Sequence, residues 1–252
     1  MSKKACWIIL AYNEAASIGP VLDRVIKVRF PNVELVPVVI NDGSKDSTES
    51  VAKSREITVI SHASNKGVGA AFRTGLFWAR DNNFDYLIQM DGDGQLSPEE
   101  VGLLLDPVVN GRCDIAFGSR FKGPTPANLP RWKSSALKYC SRFVGWLIGH
   151  KIFDISCGFR CMNRETTAIL HPTFDYDYAQ EVLIQAATAH KRILEIPITV
   201  LYPKKDEQKD SMSSLALRYS FWFLYILAFA LTQMYWAKLS SHWKNKIGII
   251  YE

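Results

Sequence analysis

Short apolar runs alternate along this chain with segments whose apolar residues recur every three or four positions. Residues 7–11 form the first run, apolar throughout except for its polar successor Tyr12, as a strand buried on both faces requires. Ile18, Val21, Leu22, Val25 and Ile26 then share one helical face. Strand-like runs return at 35–40, 57–60, 86–90 and 115–117. Helices are expected over 47–55, from the Gly loop beginning at Asn65 on to about 80, and after Ser97, which can cap while Pro98 suits the first helical position. Residues 123–130, rich in Pro and Gly, read as a loop. Helices over 132–147 and 178–190, an extended stretch at 154–162 and a last strand at 193–201 complete the pattern. The alternation predicts an α/β fold, a mostly parallel central sheet with helices on both faces.

In such sheets ligands gather beyond the carboxyl ends of the strands. The polar clusters fall there: Asn13 and Glu14 after the first strand, Asp42 after the second, Asp91 and Asp93 after the fourth. Segments distant in sequence therefore converge on one rim.

Composition changes the picture at the carboxyl end. Residues 219–237 carry no charge and are bounded by Arg218 and Lys238. As a helix the run would span about 28 Å, close to a bilayer core. Trp222, Tyr225, Tyr235 and Trp236 suit membrane interfaces. A membrane-associated apolar helix is expected, spanning or lying in plane; a buried terminal helix or a homo-oligomer contact is the alternative. The expected division is a catalytic domain over 1–212 and the apolar helix with its basic tail over 213–252. The early apolar run is too short for a signal peptide.

The 252 residues carry a formal net charge of +5. That mild excess fits anionic ligands or lipid, and no arginine-rich run marks a nucleic-acid partner. The five cysteines are scattered, which fits reduced thiols and no disulfide framework. Cys157 and Cys161 read as packing residues.

Three motifs carry chemistry. Asp91, Asp93 and Gln95 lie on alternate residues, so in an extended chain their oxygens would face one point, suited to a hard divalent cation. The bland reading is an acidic Gly turn. Asp42, within Asn41, Asp42, Gly43 and Ser44, can accept hydrogen bonds from a base or ribose, or simply shape a turn; Asp46 or Ser47 caps the following helix. Lys66 and Gly67 sit in a Gly loop that opens a helix, an anion-site geometry.

The ordered set Ala11-Tyr12-Asn13-Glu14, Asn41-Asp42-Gly43-Ser44, Asn65-Lys66-Gly67 and Asp91-Gly92-Asp93-Gly94-Gln95 resembles family 2 glycosyltransferases of the GT-A fold. The likeness is to the dolichyl-phosphate mannosyltransferase and polyprenyl-phosphate glycosyltransferase branch. Gly118 to Phe121, Ser156 to Arg160 and Glu195 to Ile198 extend it over about residues 5–203. Asn41 in place of a common Asp, Ala11 in place of a common Pro, and a lost Arg and Gly-x-Ser-Lys pattern after the last strand are departures.

The resemblance implies an inverting, metal-dependent transfer from a nucleotide-sugar of the GDP-mannose or UDP-glucose type. The acceptor would be a polyprenyl phosphate at the cytoplasmic face of a membrane. Ala11, Tyr12 and Glu14 would line the base pocket, Asp42 would hold the base or ribose, and Lys66 and Gly67 would flank the nucleoside. Asp91, Asp93 and Gln95 would bind Mg2+ or Mn2+ and the diphosphate, with Asp93 also counted as catalytic. Arg120, Arg131 and Lys204 would meet the acceptor phosphate, and Arg120 would act in catalysis. Glu181 would serve as general base if the acceptor were a glycan or glycolipid hydroxyl. A catalytically idle nucleotide-binding membrane module is the remaining alternative.

Overall fold

The computed structural model describes residues 2–123, 131–175 and 177–201, together with Ala228 and Thr232. The uncharged run 219–237 therefore lies outside the described residues apart from those two, as do Lys204 and the tail. Among the described residues no helix is long and apolar enough to cross a membrane.

Seven strands form one sheet: β1 (Lys3–Ala11), β2 (Val33–Asn41), β3 (Thr58–Ser61), β4 (Tyr86–Asp91), β5 (Ile115–Ser119), β6 (Arg160–Asn163) and β7 (Ile193–Pro197). Their order is β3-β2-β1-β4-β6-β5-β7. All pairings are parallel except those of β6, which runs antiparallel to both β4 and β5. The helices are α1 (Ile18–Val25), α2 (Thr48–Lys53), α3 (Val68–Asp81), α4 (Val101–Val109), α5 (Arg131–Leu147), α6 (Arg164–Ile169) and α7 (Tyr178–Thr188).

The central strand β1 explains the layering. Its residues from Ala5 onward are all buried. Ala5, Trp7, Ile9 and Ala11 face the layer with Ile18 and Leu22 of α1 and Leu104 and Leu105 of α4. Cys6, Ile8 and Leu10 point the other way, onto Phe72 and Leu76 of α3 and Val182 and Leu183 of α7. Period-two alternation on a strand that is apolar at every position thus builds two cores from one segment.

Three expectations change. The stretch 154–162 is extended only from Arg160, and residues 154–159 form a loop. The last strand ends at Pro197; the chain beyond it crosses the rim, pairing Val200 with Leu96 and donating Leu201 N–H to Gln95 O at 2.8 Å. Ser97 makes no side-chain cap, because a single 3-10 turn, Pro98–Glu100, precedes α4. Ser47, the N-cap of α2, makes no side-chain cap either; Asp46 before it forms an Asx turn, accepting from Thr48 N at 3.0 Å.

Candidate active site

Strands β1, β2, β3, β4 and β5 run in one direction, so their carboxyl ends share a rim. Asp91 closes β4 and sits opposite Leu10 of β1. Gly92 N–H donates to Leu10 O at 2.8 Å, and Ser17 Oγ donates to Gly92 O at 3.0 Å. The chain then turns rather than running on extended: Gly94 has φ +77 and Gln95 N–H donates to Asp93 Oδ1 at 2.9 Å. An Asx-type turn at 93–95 therefore replaces the expected extended alternation.

Three carboxylates crowd this point. Burial, aided by the charges of Asp93 and Glu14, pushes Asp91 up to about 7 from the ordinary 3.8. Asp93 and Glu14 are raised too, each chiefly by burial. Arg160 and Arg120 act on Asp91 in the opposite sense. Among the described residues no three His, Cys, Asp or Glu side chains form a ready-made cage. The donor set instead fits a hard cation held by one or two carboxylates and completed by substrate phosphates. Such an ion would offset the mutual repulsion of these carboxylates.

This sets the sign of a pH effect. Between 3.8 and about 7 the folded state keeps a proton on Asp91 that the unfolded chain has lost. Stability without metal therefore falls as pH rises through that window. Metal needs the ionised form. The increase in melting temperature on adding Mn2+ is expected to be small at pH 5.5 and to grow through pH 7 to 8. A metal effect independent of pH, read by calorimetric melting, would remove Asp91 from the ligand set.

The other rim residues sort differently. Tyr12 is exposed, while the Ala11 methyl is buried in the core, so only its backbone can border a ligand. The Asp42 carboxylate is buried and filled. Oδ1 accepts from His62 Nδ1 at 2.6 Å and Lys66 N at 3.0 Å; Oδ2 accepts from Asn65 Nδ2 at 3.0 Å and Gly67 N at 2.8 Å. The expected direct contact to base or ribose would have to be shared with four protein donors. Asp42 instead gathers the 62–67 loop. Gly67, at φ +95, caps α3, and the Lys66 side chain is exposed.

Arg120 reaches the rim from β5 but is engaged. Its Nε and Nη2 clamp the buried Asp154 carboxylate, each at 2.7 Å, and Nη2 also donates to Ser156 Oγ. An acceptor phosphate would have to compete with Asp154 for it. Arg131 opens α5, with its side chain outside the described residues; Lys204 is outside them altogether.

Glu181 is corrected as a general base. It is 1% exposed, and its carboxylate accepts from Thr173 N at 2.7 Å, Phe174 N at 2.9 Å, Thr173 Oγ1 and Gln185 Nε2. It holds the 173–175 loop against α3, where Gly69 N–H donates to Asp175 O at 2.6 Å. An acidic residue near a helix start looks the same in sequence whether it faces substrate or caps backbone.

Sequence reasoning missed the loop that backs Asp91. Arg160 is fully buried, and its guanidinium donates to the carbonyls of Ile155, Cys157 and Ala179. Glu195 accepts from Phe153 N and Asp154 N, and Ser141 Oγ accepts from Ile155 N. These bonds press Gly158 onto the Asp91 carboxylate. The available signal was the phrase Ser156 to Arg160, whose charge and Gly fall where an extended strand was expected. His62 was missed too, although it follows a strand on the same rim.

The model of the family described as "Glycosyl transferase family 2" matches residues 6–168. A UDP-N-acetylglucosamine–dolichyl-phosphate N-acetylglucosaminyltransferase of Methanococcus voltae is 28% identical over 80% of this chain and 88% of its own. A polyprenol monophosphomannose synthase of Mycolicibacterium smegmatis is 31% identical, over 82% and 81% respectively. An undecaprenyl-phosphate mannosyltransferase of Micrococcus luteus is 28% identical, over 81% and 86%. Among solved structures, glucosyl-3-phosphoglycerate synthase from Mycobacterium tuberculosis in complex with UDP superposes with a TM-score of 0.67. The identity is 18%, covering 92% of this chain and 80% of that one. The same enzyme bound to Mn2+ and UDP-glucose gives 0.66. These likenesses bear out the α/β GT-A-like architecture. With the family match running through β1 to β6 and taking in every motif of the rim, the chain belongs to glycosyl transferase family 2 and is a glycosyltransferase.

Proposed function

We propose that this chain moves a sugar from a nucleotide-sugar onto a polyprenyl or dolichyl phosphate at a membrane face, with inversion at the anomeric carbon. The observation that carries the reading is the crowded carboxylate pair Asp91 and Asp93 on the rim, in a chain whose relatives are named for lipid-phosphate acceptors. Asp91 and Asp93, with Gln95 beside them, would hold Mg2+ or Mn2+. When bound, that ion neutralises the departing nucleoside diphosphate. Lys66, exposed on the loop that Asp42 gathers, would add positive charge on the nucleotide side.

The locked Glu181 supports a phosphate acceptor over a hydroxyl. A phosphate is already anionic at neutral pH and needs no strong base, whereas a hydroxyl does.

Two features support membrane association. The uncharged sequence 219–237 is long enough to cross or lie in a bilayer. Independently, residues 123–153 contain five Lys and Arg and no Asp or Glu. Within that stretch α5 turns Tyr139 (70% exposed), Arg142 and Trp146 (74% exposed) outward, while Ser141 ties its inner face to the loop backing Asp91. Aromatic and basic side chains on one helical face suit an anionic lipid interface beside the site.

The test is a donor screen on membranes carrying the protein, with labelled GDP-mannose, UDP-glucose and UDP-N-acetylglucosamine, polyprenyl phosphate, and Mg2+ or Mn2+. Label from one donor should enter the lipid phase and stop with EDTA. Nucleotide binding without any lipid product would reject the acceptor, and no turnover with any acceptor would leave an idle module.

A further inference from the structure

We infer that His62 is a positioning residue for the nucleoside pocket: its imidazole is a strut that fixes the Asn65-Lys66-Gly67 loop against the body of α3. The inference rests on the reading of that loop as part of the donor site.

The chain leaves β3 at Ser61, and His62 N–H donates to Asn41 O at 2.9 Å, which ties the ends of β2 and β3 together. The imidazole then spans two elements. Nδ1 lies 2.6 Å from Asp42 Oδ1, and Nε2 lies 2.8 Å from Thr74 Oγ1, on the second turn of α3. Its side chain is 9% exposed and that of Asp42 4%. Both ring nitrogens are therefore committed inside the protein, which excludes His62 as a proton carrier to substrate.

The satisfied arrangement is directional. Asp42 can only accept when ionised, so Nδ1–H donates to it; the Thr74 hydroxyl can then donate to Nε2. Asp42 in turn gathers Asn65, Lys66 and Gly67 through the three remaining bonds. One carboxylate thus sets the loop, and His62 sets that carboxylate relative to α3. Without the strut, Asp42 keeps its loop donors but loses its fixed distance to the helix. A displacement of this kind weakens ligand positioning without touching the reacting atoms.

The experiment measures calorimetric binding of UDP and of GDP with Mn2+ to the full chain, beside donor KM and kcat. His62→Leu removes both bonds; His62→Asn keeps a donor toward Asp42; Thr74→Val removes the other anchor. His62→Leu is expected to raise the nucleotide Kd and donor KM about tenfold or more, with kcat within about threefold and acceptor KM unchanged. His62→Asn recovers most of the loss, and Thr74→Val costs about threefold. Thr74→Val adds nothing on the His62→Leu background, because the two act through one strut. Unchanged nucleotide affinity in a folded His62→Leu, or a fall in kcat with KM intact, overturns the assignment. Should His62→Leu fail to fold, unchanged affinity in Thr74→Val overturns it equally. Failure of the wild type to bind either nucleotide would strike the donor-site reading itself, a separate outcome.

Discussion

Asp91→Asn is expected to lose transfer by a factor on the order of a thousand while the metal-free protein becomes more stable. The two effects have one cause. Asp91 sits where burial and the neighbouring Asp93 and Glu14 disfavour its charge, which is why its carboxyl is pushed up to about 7. At pH 8 the wild type must carry that charge, and Asn need not. The shift from 3.8 to about 7 bounds the relief at about 4 kcal/mol, at ~1.36 kcal/mol per unit. The amide brings polar hydrogens that also need partners, so a gain on the order of 1–2 kcal/mol is expected. For a chain of this size that is roughly 2–8 °C in melting temperature. The loss of rate follows from removing a charged ligand at the point where the leaving diphosphate develops charge. Melting at pH 8 with and without Mn2+, and lipid-phase transfer, measure both sides. A variant with a tenth of wild-type rate, or one melting well below wild type, would contradict this account of Asp91.

The elements that sequence made legible are those whose neighbours share one chemistry. β1 from Ala5, β2 from Val38 and β4 up to Met90 are buried on both faces, so an apolar run suffices to find them. Their direction follows from the helices between them. The rim followed as well, because every parallel strand delivers its end to the same side. β6 was not legible. It is four residues long and antiparallel, and the loop before it is fixed by Arg160 bonding to the carbonyls of Ile155, Cys157 and Ala179. Nothing in a local pattern announces that an arginine will be fully buried on backbone oxygens.

The same limit explains the carboxylates. Asp91, Asp42 and Glu181 look alike as acidic residues near element ends. What separates them is the number of donors each meets. Asp42 and Glu181 are each filled by backbone and side-chain donors from a nearby loop. Asp91 faces like charge and two guanidinium groups at longer range, with Gly158 against it. Donor supply is a tertiary property, so a sequence pattern alone does not tell a carboxylate left open to a ligand from one filled by backbone donors.

Gly158→Ala offers a test of that placement that leaves Asp91 chemically intact. A Cβ at 158 would overlap Asp91 Oδ2 and lie 2.9 Å from Cγ and 3.0 Å from Oδ1. Gly158 is not among the residues at positive φ, so alanine meets no backbone strain there and the effect is steric. Either the loop or the carboxylate must move. The loop is pinned on several sides: Arg120 clamps Asp154, Glu195 accepts from its N–H, Ser141 holds Ile155, and Arg160 holds the carbonyls of 155 and 157. Asp91 ends a strand and hangs on a flexible χ1, so it is the side that yields. A misplacement approaching 1 Å can cost about a hundredfold in rate. Gly158→Ala is therefore expected to lower transfer about a hundredfold and to weaken Mn2+ binding about tenfold. Its effect should largely vanish on the Asp91→Asn background, because both act through one side chain. Gly102→Ala is the control: its Cβ would meet only Phe30, at 4.0 Å within α4, and activity should be unchanged. Full activity in Gly158→Ala would mean that Asp91 does its work from another position than the one this loop imposes.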